Sequence, residues 1–181
     1  MSNKFVSELK RSMKMLAEDA RTVFLGQAVR YGGTGMYDTL VDVPDYKKVE
    51  MPVAENLQMG ISIGMALSED LIPVSIFPRW NFLLNAADQL VNHLDKISLM
   101  SDGQFQPKVI VRTAVGSTSI IDPQEQHRGN FSAAFRSMFK TVEVIELIHP
   151  NDVYDGYYKA LHRDDGRSTI LIEFSDYMLG K

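Results

Sequence analysis

The sequence predicts an α/β fold in which a mostly parallel sheet carries helices on both faces. Short β-like runs alternate along the chain with longer segments whose apolar residues recur at helical spacing, the pattern of strands joined by crossover helices. The chain has 181 residues, enough to bury a substantial core. It contains no internal repeat and no linker-like stretch, so residues 1–181 are expected to form one domain.

The elements follow in order from the N-terminus. Apolar residues at helical spacing predict an amphipathic helix over 3–18, and a short β-like run follows at 22–25. The stretch 26–48 has the glycine and proline chemistry of loops, and a second short run occupies 48–51. Beyond it we expect helices at 55–68, 81–100, 131–139 and 152–162, and strands at 72–77, 108–113, 142–147 and 168–174.

The composition is that of a globular protein, with 45% hydrophobic and 23% charged residues. A net charge of -4 does not indicate binding to nucleic acid or to an anionic membrane, and no apolar run approaches the roughly 18 residues of a membrane span. The chain has no cysteine, its 4 histidines lack metal-binding spacing, and its charged N-terminal segment is not a signal peptide. We therefore expect a cytoplasmic protein that binds neither nucleic acid nor membrane.

The strongest candidate for chemistry is Glu55, which follows the run at 48–51 and begins the predicted helix 55–68. Ligands of α/β sheets bind at such junctions between a strand end and a helix start. By position alone, however, a glutamate in a first helical turn more often complements the helix dipole. Gly60 and Gly64 lie about one turn apart in this helix, and we expect them to let it pack closely against the sheet.

Three further segments have side chains typical of a ligand site. Residues 77–82 place three aromatic side chains at the end of a predicted strand, the pair 88–89 follows in the next helix, and the pair 126–127 lies in a polar loop. A glycine cluster at 31–35 lacks the Gly-Lys-Ser/Thr ending of a phosphate-binding loop. For this cluster a mobile active-site loop and a plain surface loop remain equal alternatives.

Together these segments resemble the pyrimidine-binding domain of thiamine-diphosphate enzymes, in particular the β subunits of 2-oxo acid dehydrogenases and the matching domain of transketolases. The resemblance runs through nearly the whole chain and implies the thiamine-diphosphate-binding fold. No single segment is specific for this family, but the order and spacing of the whole set are. The matching segments are 24–26, 30–33, 54–55, 81–82, 88–89, 100–104, 109–112, 126–127 and 163–165.

The resemblance implies two catalytic residues and an aromatic platform. Glu55 corresponds to the family glutamate that activates the aminopyrimidine of the cofactor, which is acid–base assistance supplied through the cofactor. Phe82 matches the aromatic side chain that stacks on the pyrimidine; the lesser alternative is an ordinary core phenylalanine. His127 matches a histidine that lines the substrate side and handles protons, a task suited to a group titrating near neutral pH.

The same resemblance suggests additional binding residues. Trp80 and Gln89 are expected among the residues that bind the cofactor, although Asp88 and Gln89 can also act mainly as local scaffolding. Arg128, beside His127, either grips a carboxylate or phosphate of the substrate or is a surface arginine. No metal ligand is assigned within the chain.

The sequence departs from the family pattern at two places. Gln27 stands where the family frequently has an acid, and residues 113–118 replace a glycine-rich run after the fourth strand. The substrate and partner surfaces near these positions are therefore expected to differ from those of the dehydrogenases.

The sequence also lacks the Gly-Asp-Gly…Asn motif with which the family binds magnesium and the cofactor diphosphate, and it ends at Lys181 where family β subunits carry a further domain. The resemblance thus implies that thiamine diphosphate and Mg²⁺ are held between this chain and a diphosphate-binding partner subunit. We expect a hetero-oligomer, specifically a heterotetramer.

The sequence therefore predicts a subunit of a split thiamine-diphosphate enzyme acting on a small 2-oxo acid or ketose. Ketol transfer, non-oxidative decarboxylation and acyl transfer to a lipoyl carrier all fit. One alternative is a non-catalytic regulatory or stabilising partner of a complete thiamine-diphosphate enzyme. Another is a flavodoxin-like or nucleotide-binding module, which fits the fold pattern alone.

Overall fold

The computed structural model describes residues 3–68, 70–118 and 122–178. Within these residues, the strands form one wholly parallel sheet in the spatial order β2-β1-β3-β4-β6-β5, which confirms the α/β prediction. The strands are β1 (Thr22–Gly26), β2 (Lys48–Glu50), β3 (Ile72–Ile76), β4 (Ile110–Val115), β5 (Glu143–Glu146) and β6 (Thr169–Phe174).

Helices connect and flank the strands. They are α1 (Lys4–Glu18), α2 (Gly35–Asp38), α3 (Glu55–Ala66), α4 (Trp80–Leu83), α5 (Ile97–Met100), α6 (Ser132–Met138), α7 (Pro150–His162) and α8 (Ser175–Met178). Short 3₁₀ turns occur at Asp45–Lys47, Leu84–Ala86 and Glu125–His127, and a π-helical segment at Gln89–Leu94. No helix within the described ranges has the length and apolar character needed to cross a membrane.

The four inner strands of the sheet are buried on both faces, which explains why they are mostly apolar, whereas the edge strands β2 and β5 are partly exposed and carry charged residues. One face packs against α1 and α7 through side chains that include Leu9 and Tyr157. The other packs against α3 and α6 and the segment around α4, through Met59, Trp80 and Phe135. Two separate apolar cores therefore hold the strands in place.

The segment predicted to be helical over residues 81–100 is helical over most of its length, but it is not one regular α-helix. The chain instead passes from α4 through a 3₁₀ turn and the π-helical segment Gln89–Leu94 into α5. The backbone N–H of Asp95 donates to the carbonyl of Leu90, a π-type bond, while Leu90 and Leu94 point into the core. Asp95 is itself fully buried and binds the loop before β5, so a distant contact overrides the local helical preference.

The expectation that the α3 glycines let the helix pack closely against the sheet is wrong. The buried face of α3 carries Gln58, Met59 and Ile63. Gly64 is exposed, with no described atom within 4 Å of the place where its Cβ would be, and Gly60 faces Gln89. Larger buried side chains therefore set the distance from helix to sheet, and the glycines lie on the outer side.

The order of the strands creates a crevice between β1 and β3. From β1 the chain moves to β2 at the sheet edge, whereas from β3 it moves in the opposite direction to β4. The loops that leave the carboxyl ends of β1 and β3 therefore diverge. Ligands of open parallel sheets bind at such switch points.

Candidate functional site

The crevice between β1 and β3 receives the first turn of α3, which begins at Glu55. The side chain of Glu55 is only 6% exposed. One turn later, Gln58 Nε2 donates to the carbonyl of Ile76 at 3.0 Å and to Ser75 Oγ at 3.1 Å. These bonds tie the start of α3 to the end of β3 and so hold Glu55 at the carboxyl edge of the sheet.

The Glu55 carboxylate accepts hydrogen bonds from two amide side chains. Gln27 Nε2 lies 3.3 Å from Oε1, and Asn85 Nδ2 lies 3.4 Å from Oε2. Both bonds are long, and no cation within the described residues forms an ion pair with Glu55. Since a carboxylate has about four lone-pair sites, this one keeps acceptor capacity for a further donor.

The position of Gln27 depends on the loop that follows β1. The carboxylate of Glu50 accepts three successive backbone N–H bonds, from Ala28 at 2.6 Å, Val29 at 2.9 Å and Arg30 at 2.8 Å. Ala28 has a φ of 54°, a left-handed conformation that is uncommon outside glycine. Glu50 thus stabilises a strained turn, and that turn directs Gln27 toward Glu55.

Phe82 and His127 form the aromatic part of the site. Their ring centroids are 5.1 Å apart and the ring planes are inclined at 53°. Phe82 lies one turn before Asn85, whose amide binds Glu55, so the segment that carries Phe82 is connected to the carboxylate. His127 Nδ1 is buried and has no hydrogen-bond partner within the described residues. The structure therefore brings the predicted platform and the predicted proton handler together.

Gly116 allows the loop of His127 to approach the end of β4. A Cβ at this position would overlap the carbonyl oxygen of His127. Only glycine permits this backbone contact without displacement of the loop, so Gly116 contributes to the position of the imidazole.

Trp80 lies in the core and not in the crevice. It is fully buried, its ring stacks on Phe135 at 5.0 Å, and its edge meets Phe131 at 6.4 Å. A fully buried indole offers no surface to a ligand. Trp80 therefore anchors the segment that carries Phe82, and we do not retain it as a direct cofactor contact.

Gln89 connects two protein elements, and the polar contacts of Asp88 within the described residues are with the π-helical segment that follows it. Gln89 Nε2 donates to Asn56 Oδ1 at 3.4 Å, which links the π-helical segment to the first turn of α3. Asp88 is exposed and accepts a bond from Asn92 at 2.8 Å. This arrangement favours the scaffolding interpretation for both residues.

The positive charge of Arg128 is neutralised by carboxylates of its own loop. Its guanidinium donates to both carboxylate oxygens of Asp122, and its Nη1 lies 3.1 Å from Glu125 Oε1. The hydrogen bond from Arg128 lowers the pKa of Asp122 below its usual value. Of the two alternatives for Arg128, the geometry favours a loop-stabilising surface arginine.

Residues 9–176 match the family model described as transketolase, pyrimidine binding domain. The chain belongs to this family. It is 28% identical over 166 residues to the mitochondrial pyruvate dehydrogenase E1 component subunit beta of Drosophila melanogaster, with 86% of this chain and 42% of that protein covered. It is 30% identical over 123 residues to the pyruvate dehydrogenase E1 component subunit beta of Rickettsia bellii, with 68% and 36% covered. The chain thus spans less than half of the length of these curated relatives.

Solved structures share the fold of this pyrimidine-binding domain. A split gene transketolase in an inactive β4 tetramer superimposes with a TM-score of 0.69 at 12% identity, covering 93% of this chain and 50% of that one. The transketolase of Campylobacter jejuni gives 0.67 at 12% identity, covering 92% and 25%. The thiamine diphosphate-dependent 4-hydroxybenzoylformate decarboxylase of Rhodococcus jostii gives 0.64 at 15% identity, covering 93% and 30%. These structures confirm the fold that the resemblance implied.

Sequence reasoning missed several residues of the pyrimidine-binding domain. Gln27 was noticed only as a departure, although it directly follows a strand at the switch point and could have been proposed on that ground. Asn85 lies one turn from Phe82 and could have been found by helical spacing. Nothing in the sequence marks Glu50, because its role depends on the unusual backbone of the loop that it holds.

Proposed function

We propose that this chain is the pyrimidine-binding subunit of a split thiamine-diphosphate enzyme that acts on a 2-oxo acid or ketose, with residues 1–181 acting as one domain. When bound, thiamine diphosphate supplies a carbon nucleophile that cleaves or transfers bonds beside a carbonyl group. The observation that carries the proposal is the Glu55 carboxylate, which is buried at the switch point and bonded only to neutral amides within the described residues.

The donors and acceptors around Glu55 fit an aminopyrimidine. A carboxyl group with spare acceptor capacity can share a proton with a ring nitrogen, and its burial strengthens that hydrogen bond by excluding water. Gln27 and Asn85 hold one carboxyl oxygen each, which fixes the plane of the group. In this proposal, Glu55 holds the proton at the pyrimidine ring nitrogen.

Phe82 and His127 complete the chemistry supplied by this chain. The half-buried ring of Phe82 offers an apolar surface on which a pyrimidine can stack, an arrangement worth about 0.5–1.5 kcal/mol beyond burial. The unpartnered Nδ1 of His127, next to that ring, can accept or donate a proton at a substrate oxygen. We therefore retain Glu55 and His127 as the proposed catalytic residues.

An exposed apolar stripe that starts just before α3 and continues along it supports a partner subunit. Val53, Leu57 and Ile61 recur every four residues and are 80%, 53% and 38% exposed. The exposed Gly64 continues the same side of the helix. Contiguous exposed apolar surface of this kind marks interaction sites, and this stripe begins beside Glu55. We propose that the diphosphate-binding partner subunit packs here, so that the cofactor lies between the two chains.

We assign the Mg²⁺ ligands to the partner, following the family resemblance, and propose a heterotetramer. Within the part of the chain that the structure describes, no group of three or more histidine, aspartate or glutamate side chains is placed to hold a metal. Among the structures with the same fold, the split gene transketolase is described as an inactive β4 tetramer, which is consistent with a β chain that needs a partner for activity.

We keep the cytoplasm as the proposed location, and cell fractionation tests it. Relatives that carry mitochondrial names, such as the Drosophila protein, make the mitochondrion the alternative compartment.

The variant Glu55→Gln tests the function in the complex purified with its partner subunit. We expect thiamine-diphosphate-dependent turnover to be abolished while the fold and the assembly remain intact, because glutamine keeps the shape but cannot share a proton as a carboxyl does. Glu8→Gln, in a surface ion pair on α1, is the matched control and is expected to retain wild-type turnover. Retained turnover in Glu55→Gln would falsify the assignment.

A further inference from the structure

Unpartnered buried polar atoms are concentrated at one side of the crevice. Within the described residues, seven buried side-chain nitrogen or oxygen atoms lack a hydrogen-bond partner. Three of these belong to Arg79, Asn81 and His127, and a fourth belongs to the core residue Trp80, which offers no surface to a ligand. Because buried polar atoms in folded proteins are nearly always bonded, this concentration indicates a place where polar groups of a ligand are received.

The four residues belong to two segments that pack against each other. Arg79 to Asn81 follow the end of β3, at the start of α4. The Asn81 amide nitrogen lies 3.3 Å from the place that a Cβ of Gly129 would occupy, so it borders the loop that carries His127. Arg79 is the extended residue that precedes α4, three residues before Phe82, whose ring meets the imidazole. Arg79 therefore belongs to the segment that carries the proposed cofactor platform.

Arg79 differs from the other arginines of this region in its charge balance. Arg128 is paired with Asp122 and Glu125, and the fully buried Arg112 is paired with Glu173. Arg79 forms no ion pair with any described residue, and its Nη1 is buried without a partner. A partly buried guanidinium without a counter-charge is costly to keep, and its forked donors match a carboxylate or a phosphate.

We propose that Arg79 binds the anionic group of the substrate, a carboxylate or a phosphoryl group. This inference rests on the proposed function for the existence of a substrate in this crevice, and it adds which residue receives the anionic group of that substrate. It also moves the substrate-side cation from Arg128, where the sequence had placed it as one of two alternatives, to Arg79.

NMR titration of the full chain, with the arginine side chains labelled, tests the assignment without thiamine diphosphate. The probes are pyruvate, its neutral ester methyl pyruvate, and inorganic phosphate. We expect the wild-type chain to bind at least one anion and not the ester. Tighter binding of pyruvate identifies a carboxylate as the recognised group, and tighter binding of phosphate identifies a phosphoryl group.

The variant Arg79→Gln should weaken binding of the preferred anion by about tenfold or more, the usual effect of losing a charge-assisted hydrogen bond. Arg79→Lys should restore part of the affinity, because it keeps the charge but loses the fork. Arg167→Gln removes the same charge on the exposed segment that leads into β6, and it should bind like wild type. Circular dichroism establishes that each variant is folded.

Equal affinity of the wild type and Arg79→Gln for the anion would overturn the proposal, as would the absence of saturable anion binding by the wild-type chain. Because the titration contains no cofactor, its outcome is separate from the Glu55 test. If the Glu55 test failed, the anion site at Arg79 would still be supported. If the Arg79 variant had no effect, the proposed function would still be supported.

Discussion

At the scale of single residues, the two carboxylates nearest the site have different tasks because their partners differ. The carboxylate of Glu50 accepts three backbone N–H bonds, and these bonds hold the conformation of the loop after β1. Glu55 accepts two long bonds from neutral amides and keeps capacity for another donor. Their positions in the sequence, only five residues apart, do not reveal this difference. The partners decide which carboxylate can act on a ligand.

Gly116 is a residue whose effect on the site can be measured. We expect Gly116→Ala to destabilise the fold by about 1–3 kcal/mol, because the new methyl group overlaps the backbone of His127 and must displace its loop. The contact between His127 and Phe82 should be lost with it. Urea unfolding measures the first effect, and nuclear Overhauser contacts between the two rings measure the second.

Gly64→Ala is the matched control for this variant, since a Cβ added at Gly64 would meet no described atom within 4 Å. It should leave the site unchanged and stabilise α3 by up to about 1 kcal/mol. The same loss of stability in both variants would show that Gly116 is not a special contact.

At the scale of elements, Asp95 connects segments that are far apart in sequence. Its carboxylate accepts backbone N–H bonds from Lys140 at 2.9 Å, Thr141 at 2.7 Å and Val142 at 3.0 Å, and it pairs with Lys96. Burial alone would raise the pKa of Asp95, but these bonds outweigh it and hold the pKa below its usual value. The carboxylate thus fixes the end of the π-helical segment against the start of β5.

We expect Asp95→Asn to lower the free energy of unfolding at neutral pH by about 1–3 kcal/mol, because the hydrogen bonds lose their charge assistance. Since the pKa of Asp95 is lower in the folded state, its contribution is present above the unfolded pKa of about 3.9 and is lost as pH falls through the folded value. Urea unfolding of wild type and variant over this range should show the difference shrinking. The exposed Asp88→Asn is the control, and a pH-independent difference would contradict this role of Asp95.

The sequence was sufficient for elements whose pattern is local. The helix at 55–68 and the strands were predicted to within a few residues, because apolar spacing alone determines them. The segment 81–100 is mostly helical as predicted, but the sequence does not show that it is interrupted near Asp95, which binds a loop more than forty residues away. The close packing expected at Gly60 and Gly64 was wrong because the helix turns its larger side chains to the sheet.

The site residues could be predicted when the family resemblance assigned them a role or when they lie at the end of a strand that borders the crevice. Glu55, Phe82 and His127 lie together on that basis. Arg79 was not predictable, since its importance follows from the absence of an ion partner among the described residues, which no sequence spacing shows. For Arg128 the sequence left anion binding and a surface position as alternatives, and its pairing with the loop carboxylates emerged only in three dimensions.

At the scale of the whole molecule, the site lies at the border of an exposed apolar surface. The stripe of Val53, Leu57 and Ile61 starts two residues before Glu55, so a partner that covers the stripe also encloses the carboxylate. Exclusion of water from such a site strengthens its hydrogen bonds. Assembly and chemistry are thus expected to be linked in this protein.

Leu57→Asp tests this link. We expect it to prevent copurification with the diphosphate-binding subunit, because a charge at a buried apolar interface has no counter-charge. Leu99→Asp is a close control, since Leu99 is 54% exposed on α5 and Leu57 is 53% exposed on α3. Native mass spectrometry measures the assemblies. Retention of the partner by both variants would show that the stripe is not the interface.

In the proposed function, Glu55 promotes removal of a proton from the cofactor. The most direct test is hydrogen–deuterium exchange at the reactive carbon of thiamine diphosphate bound to the assembled enzyme. We expect exchange in the wild type to be faster than in Glu55→Gln by a factor on the order of 100 or more, the usual contribution of general acid–base assistance. Equal exchange rates in the two proteins, both with cofactor bound, would contradict this role of Glu55.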